Sequence, residues 1–190
     1  MTGKPIDSTT LDHEALQALV STNAESLRLL RLGLTRQCAL PADSAMTNVS
    51  GMLGDLAAMK QLAQLLAAEG RLRELDNRLA DAAQSYIDAI RLGQEMSRGG
   101  FIVNRLVGIA CESIGGTRLS ELVPKLRPQE ASPVIADLEK IDGARVTWEE
   151  STRNDNRYSW HLVRTGFNAI GWVLTAVATS ANKSTMRKSA

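Results

Sequence analysis

Between Asn77 and Gly93 the positions Leu79, Ala82, Tyr86, Ala89 and Ile90 fall on one face of a helix. Small and large residues alternate along that face, as a helix needs in order to nest against a neighbour. Upstream, Leu16, Val20, Leu27, Leu30 and Leu34 keep helical spacing and predict a first helix from Leu11 to about residue 36. Thr10 is placed to cap it, and Asp12 and Glu14 meet the positive end of its dipole. Cys38-Ala-Leu-Pro41 then breaks the helix, because proline cannot continue the hydrogen-bond ladder. Residues 41–50 read as a loop.

A second helix is predicted from about Met52 to Leu75, with Leu56, Met59, Ala63 and Leu66 as its stripe. Gly70 weakens its interior by about 1 kcal/mol relative to alanine. Asp76-Asn77 is the expected turn, since asparagine tolerates the left-handed conformation. The third helix continues to about Ser97, and the pairs Gly99-Gly100 and Gly115-Gly116 are expected to stop the chain. Between them only Asn104, Arg105, Glu112 and Ser113 are polar, and Arg105 and Glu112 lie about 20° apart around the axis as a polar stripe. A helix with so wide an apolar face belongs in the middle of a bundle. A buried strand is the alternative, because Phe101-Ile-Val is β-prone.

Leu119 to Leu126 suggests a short helix interrupted near Pro124. Pro128 or Ser132-Pro133 opens the next, with Val134, Leu138 and Ile141 as its stripe and Gly143 at its end or within it. The polar stretch from Trp148 to Tyr158 is an exposed helix or a loop, and the last apolar block runs from Gly166 to Ala181. The expected organisation is a polar leader over 1–9, a helical domain over 10–165, and an apolar helix with a basic tail over 166–190. The expected fold is all-α, a compact bundle of about five to seven helices joined as antiparallel hairpins.

Composition sharpens this. Aromatics are only 4% of the chain while alanine and leucine dominate, which favours helices packed through aliphatic contacts. The net charge of +1 lacks the concentrated positive excess a duplex-binding surface needs, so no nucleic acid partner is expected. The first ten residues have no apolar core, so no secretory signal is expected, and a cytoplasmic location follows. Without such a signal, the acceptor patterns at Asn48 and Asn182 read as chance. Cys38 and Cys111 lie far apart in apolar surroundings and read as reduced, buried thiols, a single disulfide being the alternative.

Candidate chemistry is sparse. His13-Glu-Ala-Leu-Gln17 approaches the helical zinc motif, but Gln17 stands where the second histidine ligand would be, so no metal is expected. His161 has no patterned partner for general-base work. Glu149 and Glu150 point about 100° apart on a helix and read as a solvated face. Cys111 lacks the electropositive setting of a nucleophile. Ser180-Ala-Asn-Lys183 has the spacing of a serine–lysine pair but lies in the tail, and neither glycine pair is followed by a phosphate-binding Lys-Ser/Thr. Arg105 and Glu112 are placed to form a buried or rim ion pair. No cofactor is expected and no enzymatic activity.

The block from 166 to 181 is uncharged for 16 residues and flanked by Arg164 and Lys183. It packs on the bundle, docks a partner or meets a membrane, with Trp160 and Trp172 suited to an interface. Trp160, Arg164 and Trp172 are accordingly the candidate interaction surface.

The helix carrying Leu79, Ala82, Tyr86, Ala89 and Ile90 resembles the second helix of a tetratricopeptide repeat. In the preceding helix Leu66 and Gly70 match the family's large and small positions. Glu69 stands where an apolar residue is expected, Arg73 where an aromatic is, and Asn77 replaces the turn glycine. The match covers about one repeat of roughly 34 residues, and no second copy is evident. The run from this turn to Cys111 also resembles a group of uncharacterised bacterial all-helical proteins. Both resemblances imply an all-helical protein with one tetratricopeptide-like hairpin at its centre, which presents a surface to an unidentified protein partner. The expected function is therefore protein–protein interaction or scaffolding, with peripheral or tail-anchored membrane association as the alternative and, behind both, an enzyme whose site is assembled from distant residues and shows no motif.

Overall fold

The structure, a computed structural model, describes residues 11–37, 49–153 and 155–157. The chain divides into two units, Met1–Thr152 and Arg153–Ala190, and nearly all described residues belong to the first. Its elements are α1 (His13–Thr22), α2 (Ala24–Leu34), α3 (Val49–Leu75), α4 (Leu79–Ser97), α5 (Ile102–Leu122), a 3-10 turn (Val123–Lys125) and α6 (Pro128–Gly143). A further helical stretch begins at 148. No strand occurs among the described residues, so Phe101-Ile-Val enters a helix and the fold is an all-α bundle.

The expected first helix is two. Asn23 leaves the helix at φ −107°, ψ 15°, and its side-chain amide donates to the Leu19 carbonyl at 2.8 Å. A short amide that bonds its own backbone competes with the ladder. Asp12, not Thr10, caps α1, accepting from the Ala15 amide at 2.8 Å. The turn into α4 falls where the sequence puts it: Asn77 has φ 58°.

α4 is the central element. It touches α2, α3, α5 and α6, and twelve of its 19 residues are buried. Contacts with α3 pair Glu69 with Ser85 and Arg73 with Asp81, so the two helices run antiparallel. Contacts with α5 pair Ser97 with Arg105 and Ala89 with Gly115, again antiparallel. One apolar cluster joins Leu27, Leu56, Ala63, Leu66, Ala89, Leu92 and Cys111. A second joins Ala82, Ala83, Tyr86, Ile87, Leu119, Leu122, Val134 and Ile141.

Gly115-Gly116 does not stop the chain but lies inside α5. A Cβ at Gly115 would strike the Tyr86 carbonyl, and one at Gly108 would lie 2.5 Å from the Gly93 carbonyl. These glycines answer a close backbone approach, not a turn. The true break is Gly99, at φ 70°. The short helix expected over Leu119–Leu126 is the last turn of α5 followed by the 3-10 turn at Pro124. Pro128 opens α6, and Pro133 is absorbed within it.

The polar stripe of α5 is turned partly inward. Asn104 and Arg105 are buried while Leu106 and Ile109 are exposed. Asn104 is drawn in because its side-chain oxygen accepts from the Phe101 amide at 3.0 Å, filling the N-terminus of α5. Helical periodicity located the stripe but could not say which side of α5 faced the bundle.

The two glycines of the α5 pair should respond oppositely to alanine. Gly116 has open space around its Cβ position, so Gly116→Ala should stabilise by up to about 1 kcal/mol through helix propensity. Gly115→Ala should cost about 1–3 kcal/mol through overpacking against α4. Urea denaturation of both variants measures the difference, and a stabilising Gly115→Ala would refute the close approach.

Candidate functional site

The residues predicted to share one face of α4 do pack together. Ala82, Tyr86 and Ala89 are fully buried, and Leu79 and Ile90 lie partly buried against the second cluster. Tyr86 is a core anchor. A Cβ at Gly70 would lie 2.7 Å from its Cζ, so Gly70, costly to the helix on propensity alone, makes the socket for the ring. The Tyr86 hydroxyl donates to Glu74, which also receives Lys125 at 3.5 Å. Burial and then the Glu74 carboxylate raise the Tyr86 pKa, keeping the phenol protonated as a donor.

Around the same hairpin lies a polar layer. Glu69, 6% exposed, and Asp88, 4% exposed, lie on α3 and α4. Arg31 reaches them from α2: its Nε donates to Asp88 at 2.9 Å, its Nη1 donates to Glu69 at 3.2 Å, and its Nη2 also donates to Glu69. Arg73 also donates to Glu69, at 2.8 Å to the Oε1 that Arg31 Nη1 shares, and to Ser85 Oγ at 2.7 Å. Ser85 in turn donates to Glu69 at 2.9 Å, and Gln84 donates to Asp88 at 3.1 Å. Burial pulls the Arg31 pKa down, but the two carboxylates outweigh it and hold the guanidinium above its ordinary value. Arg73 is lowered, mainly by burial. The planar guanidinium of Arg31 bridges two carboxylates from different helices, which a point-charge ammonium does less well.

This constellation was only half legible. Glu69 and Arg73 stand four residues apart in the favourable order, and both depart from the tetratricopeptide pattern. Arg31 and Asp88 carry no such mark, since their partners lie 38 and 57 residues away.

The second polar cluster is the expected Arg105–Glu112 pair, at 2.7 Å, with Arg145 at 3.9 Å from the same carboxylate. Arg105 also reaches Ser97 Oγ at 3.5 Å. The Gln94 amide, Arg105 Nε and Ser151 Oγ are buried without a hydrogen-bond partner among the described residues. Cys111 is a free, fully buried thiol, and burial pushes its pKa up to about 11. His13 lies exposed at the start of α1, its Nε2 2.8 Å from Asp76 Oδ1. Glu149 is exposed, while Glu150 accepts from the Gly99 amide at 3.3 Å. Among the described residues no three His, Cys, Asp or Glu side chains gather as a metal site. Cys38, Trp160, His161, Arg164, Trp172, Ser180 and the block 166–181 lie outside the described residues.

Comparison with protein-family models, with curated proteins and with solved structures finds no match to the chain. The groove of α3 and α4 beneath α2, lined by Glu69 and Asp88, is the most developed polar site among the described residues.

Removing one member of a buried pair is costly. Glu112→Gln should destabilise by about 3–5 kcal/mol by leaving Arg105 charged and poorly paired, whereas Arg105→Met with Glu112→Leu should recover most of the loss. Thermal or chemical denaturation of the three proteins decides it. A double variant as unstable as Glu112→Gln would show that the pair is not the source of the cost.

Proposed function

We propose that this protein is a non-enzymatic interaction or scaffolding module, built on a tetratricopeptide-like hairpin, α3–α4. The observation that carries the reading is the outer face of α5. Leu106 is 54% exposed and Ile109 37% exposed, while Asn104 and Arg105 of the same helix are turned inward. Ile102, Ser113 and Gly116 continue that face without a charge. Exposing large apolar side chains while burying an arginine is unfavourable for an isolated chain and sensible for a surface that a partner covers. The buried or half-buried carboxylates Glu69, Glu74, Asp88 and Glu112 are each engaged by a cation and act as structural counter-ions. That supports a scaffold over acid–base chemistry. The nesting of Tyr86 over Gly70 supports the tetratricopeptide-like reading, because it is the large–small mesh the resemblance implies. Such a module is proposed to work in the cytoplasm.

The test is crosslinking and affinity capture with the full-length chain, followed by identification of the contact residues. Leu106→Asp with Ile109→Asp should abolish capture of the partner and leave the melting temperature within about 3 °C of the unaltered chain. Undiminished capture, or catalytic turnover with no partner found, would overturn the reading.

A second reading has its own observation, the uncharged stretch 166–181. Its 16 residues are short of the about 20 needed to span a bilayer, so it would lie at the membrane surface or anchor weakly. No described helix is long and apolar enough to cross a membrane. Under this reading the intact chain pellets with membranes and a chain ending at Arg164 stays in the supernatant. Equal partitioning of the two would eliminate it.

A further inference from the structure

We propose that the α3–α4 groove is a receptor for an arginine-bearing amphipathic helix of a partner protein, and that α2 occupies it in cis as an autoinhibitory stand-in. The inference rests on the interaction-module reading and names the chemistry of one partner.

The groove is built to read one guanidinium. Glu69 and Asp88 are buried carboxylates from two helices, and Arg31 binds both at once. Arg73 and Ser85 each hold one Glu69 oxygen alongside Arg31, and Gln84 holds Asp88, so both carboxylates keep a partner if Arg31 leaves. Beside them, Leu27 enters the cluster of Leu56, Ala63, Leu66 and Ala89, with Leu30 and Leu34 packed at its margin. The occupant's pattern is therefore leucine, then leucine and arginine three and four residues on, then leucine again. This is the helix-in-groove mode with one charged anchor.

Apart from Arg31, the occupant is held by little buried surface. Only Leu27 of the 11 residues of α2 is buried, against twelve of 19 in α4. Leu29 and Leu32 are 51% and 52% exposed. The Asn23 side chain turns back to the Leu19 carbonyl and does not cap the start of α2. An element with few buried contacts opens at low cost without global unfolding. While α2 is seated, a partner helix sees only the open fraction, and its apparent affinity falls in proportion.

The test uses the full-length chain and a labelled synthetic peptide of residues 23–37, which has the stated pattern, read by fluorescence anisotropy. The Arg31→Ala chain should bind this peptide at least roughly tenfold more tightly than the unaltered chain, because its own competitor is weakened. Asp88→Asn in that background should remove most of the gain. A peptide carrying Arg31→Lys should bind more weakly, since an ammonium lacks the planar fork. Equal affinity of the unaltered and Arg31→Ala chains, or undiminished binding of an Arg31→Gln peptide, overturns the proposal.

If Arg31→Ala does not fold, hydrogen exchange on the unaltered chain decides. Amides of 24–34 should exchange through an opening that leaves 79–97 protected. Exchange of both only through global unfolding overturns it. Sedimentation should give a monomer. A dimer with α2 of one copy crosslinked to α4 of the other would assign the groove to a second copy and likewise overturn the proposal. The result is separable from the α5 test: peptide binding does not use Leu106 or Ile109, and partner capture on α5 does not need the groove to open.

Discussion

The close approach of α4 to its neighbours is the constraint on which the rest of the structure depends. Helices come within reach of each other's backbone only where side chains vanish, and here Gly70, Gly93, Gly108 and Gly115 supply the gaps. Gly70 admits the Tyr86 ring, and Gly115 lies against the Tyr86 backbone, so one residue is gripped from both sides. With α4 pinned in this way, twelve of its 19 residues leave solvent. At about 25 cal/mol per Å² of apolar area, burial on that scale dominates whatever the polar layers contribute.

Close packing also decides what the polar layers must do. Glu69, Ser85 and Asp88 lie on the packed flanks of α3 and α4 and cannot reach water freely. Each must be satisfied locally, and the two arginines that satisfy them come from different parts of the chain. Arg73 is local to Glu69, whereas Arg31 arrives from α2. The consequence is a helix held by one buried leucine, two partly buried ones and one guanidinium, mounted on a hairpin held by many apolar contacts. Firm and light attachment in one bundle is the contrast on which the proposed role of α2 as a removable cover rests. Arg105 shows the same logic at the other end of α4, where Ser97 and Glu112 receive a charge that the packing has enclosed and Arg145 shares the Glu112 carboxylate.

Legibility followed the range of the interaction. The α3–α4 turn, the face of Tyr86 and the Arg105–Glu112 pair each depend on residues within about two helical turns, and all three were readable. The start of α6 was readable only as Pro128 or Ser132-Pro133, because either proline suits a first turn. The division of α1 from α2 depends on one amide choosing the Leu19 carbonyl, a local competition that apolar spacing passes over. The pair Gly115-Gly116 misled because a glycine that breaks a helix and a glycine that lets two helices touch have the same composition. Its meaning came from Tyr86, 29 residues away in sequence.

By itself the sequence determined that this chain makes helices, roughly where they begin and end, and that they join as hairpins. Those properties follow from backbone propensity, capping and periodicity, which act over a few residues. Tertiary structure alone decided which side of α5 faces inward, which glycines are contacts, and that Arg31 closes the Glu69–Asp88 pair. Periodicity fixes angles around one helix axis, but the rotation of that axis against its neighbours is set by the sum of many packing contacts. No single stretch of sequence carries that sum.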